Sequence, residues 1–197
     1  MTRSMPTVDA VIKMGGALLR QPGTLERVVR AVEDAASRYH LVVVPGGGPF
    51  ADAVRTIDHD AGLPDDAAHW MAILGMEQCA HLLTTCMEGA QLVERPEEIR
   101  GAIEAGHLPV LAPYQWLRSA DPLPHVWEVT SDSIAAWVAG ELRARMLVLI
   151  KPAAALLADL VDPYFPRALP PRVRAVPIAA AAVDELPAVL ARNQEPR

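Results

Sequence analysis

The sequence contains few cysteines and few aromatic residues. Its two cysteines, Cys79 and Cys86, lie in one helix-like segment, about 10 Å apart along a helix axis. That separation is too large for a disulfide between them, so we expect reduced core thiols in a cytosolic protein. Aromatic residues make up 5% of the chain, so any cluster of them needs an explanation.

Excess positive charge and long apolar runs are absent as well. Eighteen Lys and Arg residues against 24 Asp and Glu give a net charge of -6, which argues against general binding of nucleic acids or acidic membranes. The longest apolar region, residues 146–161, is interrupted by Lys151, Pro152 and Asp159 and is not expected to span a bilayer. Residues 1–8 lack the apolar stretch of a secretory signal. We therefore expect a soluble cytoplasmic protein.

Apolar residues make up 51% of the 197-residue chain, enough to bury a core as one domain or at most two small lobes. Strand-like and helix-like segments alternate, which predicts a mainly parallel sheet covered by helices on both faces, an α/β fold. The predicted strands are 10–14, 41–44, 90–93, 108–112, 146–150 and 173–178, and the predicted helices are 25–39, 50–58, 65–87, 96–105, 131–142 and 183–192.

Two glycine clusters each follow a strand-like run, at Gly15-Gly16 and at Gly46-Gly47-Gly48. Ligands of parallel sheets bind beyond the carboxyl ends of the strands, and glycines there allow close approach of the backbone to an anion. Three consecutive glycines cost roughly 1 kcal/mol each relative to alanine in regular structure. We therefore favour an anion cradle for the second cluster, whereas for the first a structural turn is equally plausible. The first cluster matches neither the P-loop pattern nor the dinucleotide fingerprint.

Three charged residues accompany these turns. Lys13 ends a buried strand, and lysine is almost never buried without a partner; its ammonium is suited to neutralising a transferring phosphoryl group. Asp132 is either a first-turn acid of a helix capped by a Thr or Ser or a cleft residue that holds Lys13 by an ion pair. Pattern alone slightly favours the first interpretation. Arg55 either reaches the anion bound by the triple glycine or, more commonly for such residues, is solvated.

Polar aromatic residues cluster in two places, and such residues often line an acceptor pocket. Trp70 and Trp127 suit a core or subunit contact equally well. No spacing of Cys, His or Asp resembles a structural metal site, so any metal is expected to be Mg²⁺ that arrives with a nucleotide. The first place, on the predicted long helix, contains His69 and Trp70, and the second, around the middle loop, contains Tyr114, Trp116, His125 and Trp127.

Three motifs in order resemble the amino acid kinase superfamily, which includes acetylglutamate, aspartate and uridylate kinases. They are Lys13-Met-Gly-Gly16, Pro45-Gly-Gly-Gly-Pro49 and Thr130-Ser-Asp-Ser-Ile-Ala135. Longer strings resemble the branch that includes the aminomethylfuran phosphate kinase of methanofuran biosynthesis. These strings are Ala68-His-Trp-Met-Ala-Ile-Leu74, Asp121-Pro-Leu-Pro-His125, Thr130-Ser-Asp-Ser-Ile-Ala-Ala-Trp137 and Leu160-Val-Asp-Pro-Tyr-Phe-Pro166.

The resemblance implies a three-layer α/β/α sandwich and homo-oligomers, dimers or larger, built on the long helix 65–87. It implies an acceptor-binding part at about 8–125 and a reduced nucleotide-binding part at about 126–197. The implied reaction is phosphoryl transfer from MgATP to a phosphate monoester, which requires positioning and charge neutralisation. The implied catalytic residues are Lys13 and Asp132, the nucleotide-phosphate residues are Gly15, Gly16 and Lys151, and the acceptor residues are Gly46, Gly47, Gly48, Arg55 and His69.

The chain departs from the superfamily after the strand-like run 147–150. An acidic, glycine-containing turn that helps to hold the nucleotide is usual there, but this chain continues with Lys151, Pro152 and three alanines. The nucleotide pocket is therefore remodelled, completed by a partner subunit, or lost. A rival hypothesis follows from the last alternative: a non-catalytic anion-binding or assembly subunit that keeps only the glycine turns.

Overall fold

The computed structural model describes residues 7–192, and its centre is a six-stranded parallel sheet. The strands are β1 (Ala10–Met14), β2 (Leu41–Pro45), β3 (Ala90–Val93), β4 (Leu108–Leu111), β5 (Met146–Lys151) and β6 (Arg174–Ala179). They lie in the order β3-β4-β2-β1-β5-β6. Every residue of β1, β2 and β5 is buried, as their continuous apolar runs predict for central strands of a parallel sheet.

Helices connect the strands, as predicted, with boundaries shifted by a few residues. They are α1 (Pro22–Ala36), α2 (Gly48–Ala61), α3 (Asp65–Cys86), α4 (Pro96–Glu104), α5 (Tyr114–Ala120), α6 (Ser131–Glu141), α7 (Leu157–Leu160), α8 (Phe165–Ala168) and α9 (Leu186–Ala191), with 3₁₀ turns at Gly16–Arg20 and Ala180–Glu185. The sequence prediction missed α5 and α8. Both are short, and α8 forms inside a proline-rich segment because Pro166 occupies its first turn, where proline is tolerated.

Two apolar clusters cover the two faces of the sheet, which confirms the three-layer α/β/α sandwich. Successive residues of a strand point to opposite faces. On β1, Ile12 joins the cluster that contains α1 and α9, whereas Val11 joins the cluster that contains α6 and α8. By the same alternation Lys13 lies on the α6 face, and so does Lys151 at the end of the neighbouring strand β5.

The two glycine turns follow neighbouring strands and pack directly against each other. A Cβ atom on Gly16 would lie 2.1 Å from the backbone nitrogen of Gly48, and one on Gly46 would lie 2.5 Å from the nitrogen of Gly16. Gly48 also has a φ of +51°, in the left-handed region that favours glycine. Gly16, Gly46 and Gly48 are therefore required by contact between the two turns, whatever ligand lies beyond them.

The long helix α3 crosses the edge of the sheet and contains both cysteines. Cys79 is buried as predicted, but Cys86 is exposed, so the expectation of two core thiols is wrong for the second. Leu83 and Met87 on either side of it are buried in the core, so Cys86 is exposed because it lies off the buried face of the helix. Within residues 7–192, no helix combines the length and the apolar character needed to cross a membrane.

Candidate active site

Three buried charged side chains meet at the carboxyl ends of β1 and β5. Lys13 Nζ lies 2.8 Å from Asp132 Oδ1. Lys151 Nζ lies 2.9 Å and 2.7 Å from Asp132 Oδ1 and Oδ2, and it donates to the carbonyl oxygen of Leu160 at 2.6 Å. Asp132 therefore binds both ammonium groups. The contact with Lys13 is the one considered from the sequence, and the contact with Lys151 was not foreseen.

Strand alternation and the start of α6 together assemble this group. Lys13 and Lys151 point to the α6 side of adjacent strands, and Asp132 stands in the first turn of α6. There the side chain of Thr130 accepts a hydrogen bond from the backbone nitrogen of Asp132 at 3.4 Å. An acid in the first helical turn also suits the helix dipole. Asp132 therefore stands at the start of a helix and is also the ion-pair partner of Lys13, as the two interpretations from the sequence proposed.

The two lysines keep the carboxyl group ionised. Burial by itself raises the pKa of Asp132, but the ammonium groups of Lys13 and Lys151 outweigh it, and the pKa falls below its ordinary value. The pKa of Lys151 is also lowered, because burial disfavours its charged form and the Lys13 ammonium repels it. Asp132 offsets only part of that effect. The three side chains together therefore carry less negative than positive charge, and this excess favours the binding of an anion beside them.

A cavity of about 230 Å³ opens beside Lys13 and Asp132. Its walls come from the turn after β1, from α2, α3 and α6, and from the segment that precedes α6. Seven of the residues selected from the sequence line it: Lys13, Gly16, Gly47, Gly48, Arg55, His69 and Asp132. Residues from distant parts of the chain therefore share one space large enough for a small molecule.

The other three selected residues lie outside this lining. The backbone N–H of Gly15 donates to Ile150 at 3.0 Å, and that of Gly46 donates to Met14 at 2.8 Å. Both amides therefore extend the sheet hydrogen bonds and are already satisfied. Lys151 faces the Asp132 carboxylate and the Leu160 carbonyl, as described above.

The polar aromatic residues divide into two sets. His69, His125 and Trp127 line the cavity, whereas Trp70 packs between Tyr114 and Arg118, and Trp116 pairs with Trp137. The pKa of His69 is lowered to about 4, because it is partly buried and lies next to His125. His69 is thus neutral at physiological pH.

Arg55 lines the cavity without pointing freely into it. Its guanidinium donates to Asp52 at 2.9 Å and lies 5.1 Å from the centre of the Trp127 ring. The other charged residues of the lining, apart from Asp65, also have partners. Within residues 7–192, no salt bridge or side-chain hydrogen bond involves the Asp65 carboxylate, which leaves one negative charge of the cavity unmatched.

Asp162 is a further buried acid beside this group of charges, and sequence reasoning did not single it out. It is buried and accepts hydrogen bonds from the backbone N–H and the hydroxyl of both Thr130 and Ser133. It therefore fixes the start of α6 and with it Asp132. A signal was present, since Asp162 stands in an apolar, proline-rich segment and aspartate is rarely buried without partners.

This arrangement can bind an anion next to a buried ammonium group. The Lys13 ammonium has three donors and binds Asp132 with one of them. Because Lys13 also lines the cavity, its ammonium can donate to a ligand there. The backbone of Gly47 and Gly48 forms the adjacent wall, where no side chain obstructs a ligand. Within the described part of the chain, no cluster of three or more His, Cys, Asp or Glu side chains is placed to hold a metal ion.

Sequence comparison matches residues 10–159 to the model of the amino acid kinase family. A curated relative is the [5-(aminomethyl)furan-3-yl]methyl phosphate kinase of Methanocaldococcus jannaschii, 26% identical over 144 residues. That alignment covers 71% of this chain and 63% of the relative, so the chain spans less than two thirds of the relative's length.

Solved structures share the fold at lower sequence identity. Uridylate kinase from Archaeoglobus fulgidus superposes with a TM-score of 0.59 at 17% identity, covering 75% of this chain and 65% of that one. UMP kinase from Ureaplasma parvum gives a TM-score of 0.58 at 18% identity, with 74% and 69% covered. At these identities the likeness concerns the fold alone.

Proposed function

Because this chain belongs to the amino acid kinase family, we propose that it is a small-molecule kinase that transfers the γ-phosphoryl group of ATP to an acceptor bound in the cavity. One observation carries the proposal: Lys13 is only 4% exposed, it is held by Asp132 at 2.8 Å, and it lines a cavity walled by glycine backbone. Because Asp132 is shared with Lys151, one buried positive charge stays uncompensated, which is costly unless an anion binds beside it.

In phosphoryl transfer the protein mainly positions the reacting groups and neutralises the charge on the transferring phosphoryl group. ATP, bound as its Mg²⁺ complex, supplies the phosphoryl group. Lys13 neutralises charge on the group in transit, and Asp132 keeps the Lys13 ammonium oriented. The backbone at Gly16, Gly47 and Gly48 admits the reacting groups close to Lys13.

The nucleotide side of the proposal involves the carboxyl ends of β1 and β5. Lys151 is within hydrogen-bond distance of three protein oxygens, so it meets a nucleotide phosphate only by giving up one of them. The loop 152–156 beside it is exposed and apolar, and Leu156 is 76% exposed. That loop offers apolar surface to an adenine ring in place of the usual acidic turn.

For the acceptor we propose a phosphorylated aminomethylfuran, converted from a phosphate to a diphosphate in methanofuran-type cofactor biosynthesis. The support is the activity for which the M. jannaschii relative is named and the charge pattern of the cavity. Lys13 and the glycine backbone suit the phosphate, and the unmatched carboxylate of Asp65 suits an ammonium. His69, neutral at physiological pH, and Trp127 provide aromatic faces for a flat ring.

Three further expectations remain part of the proposal. The chain acts as a single domain, with acceptor binding at about 8–125 and nucleotide binding at about 126–197. Two or more copies associate through α3, on which Leu74 and Leu82 are 41% and 37% exposed. The protein works in the cytoplasm on small molecules.

The activity is tested by measuring ADP formation from ATP with the aminomethylfuran phosphate as acceptor. We expect turnover that depends on the acceptor, and Lys13→Ala to lower the rate at least ~100-fold, the scale of losing one charge contact in the transition state. Arg100→Ala, a change of an exposed cation on α4, serves as the matched control. A Lys13→Ala variant that turns over normally defeats the proposal.

A second candidate function is a non-catalytic anion-binding or assembly subunit. The observation in its favour is the turn after β5, where Lys151 is bound to protein oxygens and no acidic glycine turn follows. Calorimetry with MgATP separates the candidates. Micromolar binding in the presence of the acceptor excludes the subunit hypothesis, and absence of binding with intact anion binding supports it.

A further inference from the structure

The cavity has one wall without helix or strand, formed by residues 121–130 between α5 and α6, here called the strap. We propose that His125 is a positioning residue for the acceptor, because it holds the strap closed across the cavity. The kinetic part of this inference rests on the proposed function, whereas the attachment of the strap can be tested in the ligand-free protein.

The His125 side chain joins the strap to α3. Its Nδ1 lies 2.6 Å from Asp66 Oδ1, and its Nε2 lies 2.8 Å from Asp121 Oδ1. An imidazole donates from both nitrogens only when it is protonated, so this geometry describes an imidazolium between two carboxylates. Its ring also stacks on that of His69 on α3, with centroids 4.2 Å apart and an angle of 20° between the planes.

A second attachment joins the strap to α2. Trp127 Nε1 donates to Asp58 Oδ2 at 2.6 Å, and the Arg55 guanidinium lies over the Trp127 ring. The end of the strap is fixed separately, since Thr130 donates to Asp162. Between the attachments Val126 lines the cavity and is 39% exposed.

The strap contributes a large part of the cavity wall, so its position sets the space available to the acceptor. Its lining residues are His125, Val126, Trp127, Val129 and Thr130. None of the groups proposed to hold nucleotide phosphates belongs to the strap. Loosening it is therefore expected to affect acceptor binding before nucleotide binding.

The attachment at His125 depends on charge. The hydrogen bond to Asp66 raises the pKa of His125 against the opposing effect of burial, and Asp121 adds to the rise. The other titratable or charged groups near this contact are His69 on α3 and Arg118 on α5, both of which act on Asp66. His69 stays neutral, because its pKa is about 4. Of this set, His125 is thus the group whose charge is lost as the pH rises above the ordinary histidine value near 6.5.

The sign of the pH effect follows from the raised pKa. A cation whose pKa is higher in the closed state stabilises that state fully below its ordinary value near 6.5. The stabilisation is lost as the pH rises through the raised pKa. Alkaline pH should therefore release the strap at His125, while the Trp127 attachment remains.

Steady-state kinetics between pH 7 and 9.5 test the positioning role. We expect the wild-type KM for the acceptor to rise with pH while the KM for ATP stays level. His125→Ala should raise the acceptor KM about tenfold at neutral pH, the scale of losing a hydrogen bond to a charged group. His125→Asn, whose amide can still reach Asp66 but does not titrate, should remove most of the pH dependence and partly restore the KM.

The matched control is His59→Ala, which removes an exposed His–Asp pair at the end of α2, 3.0 Å from Asp60, outside the cavity lining. Its KM values and pH profile should equal those of the wild type. The acceptor phosphate titrates in every variant, so the informative quantity is the difference between the wild-type and His125→Asn profiles. Equal profiles, or an unchanged acceptor KM in His125→Ala, overturn the positioning role.

Hydrogen exchange of the ligand-free protein tests the attachment without any activity. Four strap amides donate hydrogen bonds: those of Asp121 and Thr130 bind Leu117 and Asp162 outside the strap, and those of Val126 and Val129 bind carbonyl groups within it. At neutral pH we expect the exchange of the Val126 and Val129 amides to be at least about tenfold faster in His125→Ala, with no change in His59→Ala. Unchanged exchange overturns the inference. If no acceptor is ever phosphorylated, the proposed kinase activity fails, but this measurement still decides whether His125 holds the strap.

Discussion

Replacing Asp132 by asparagine removes the carboxylate that lies between two buried ammonium groups. In the wild type, Lys13 and Lys151 lie 2.7–2.9 Å from its oxygens, and the three side chains are at most 11% exposed. Two cations and one anion leave the group with a single positive charge. Asp132→Asn doubles that charge, whereas Lys151→Met brings it to zero.

The two substitutions should therefore differ in stability. Removing one partner of a buried ion pair costs about 3–5 kcal/mol, because it leaves a buried charge uncompensated. For Asp132→Asn that corresponds to a fall of about 10 °C in the Tm of a chain of this size. Lys151→Met leaves no uncompensated charge but deprives the Leu160 carbonyl of its donor, so it should cost about 1–3 kcal/mol, less than Asp132→Asn.

Urea unfolding at pH 7, followed by tryptophan fluorescence, measures both free energies. Asp159→Asn, which changes an exposed acid near Lys151 on α7, should lie within about 0.5 kcal/mol of the wild type. If Lys151→Met proves as destabilising as Asp132→Asn, charge balance does not govern this site and the reasoning is refuted.

The stability difference between the wild type and Asp132→Asn should depend on pH. The pKa of Asp132 is lowered in the folded protein, so its stabilising effect is complete above the ordinary aspartate value of about 4. It is lost as the pH falls further, through the lowered pKa. The stability difference between wild type and Asp132→Asn should therefore be constant from pH 7 to 5 and shrink below about pH 4.

Three further predictions concern single residues. Gly16→Ala should prevent stable folding because its Cβ would overlap backbone, whereas Gly23→Ala, which meets nothing within 4 Å, should raise the Tm slightly. Iodoacetamide at pH 8 should modify Cys86 and spare Cys79, which is buried and whose pKa burial raises to about 12; mass spectrometry showing two labels contradicts this. Asp65→Asn should raise the KM for an amine-bearing acceptor about tenfold and leave that for its des-amino analogue unchanged, and equal effects on both exclude an amine contact at Asp65.

Much of the fold was predictable from local patterns. The strands that form the centre of the sheet are continuous apolar runs, and their alternation with amphipathic helices predicts a parallel sheet with two covered faces. Prediction failed where local signals were weak. The helix α5 spans only Tyr114–Ala120, between Pro113 and Asp121, and the φ of Asp121 is 42°. Nothing in so short a sequence distinguishes it from a loop.

The candidate site was predicted in part. Lysine at the end of an apolar strand and consecutive glycines are unusual enough to be noticed in a sequence, and seven of the ten selected residues line one cavity. The roles of Asp162 and His125 were not predictable, because each depends on partners from another element. Gly15 and Gly46 were selected as well, and only the structure shows that their amides donate within the sheet.

The sequence alone determined that side chains alternate along each strand and that Lys13 ends a buried one. The face that Lys13 and Lys151 share was decided by the pairing of β1 with β5. The sequence also determined that glycines without side chains follow two of the strands, at the carboxyl edge of the sheet. Only the tertiary structure decided that one carboxylate serves both lysines and that a strap closes the cavity. These features arise when α6 and residues 121–130 pack over strands far away in the chain, and such contacts leave no periodic pattern in the sequence.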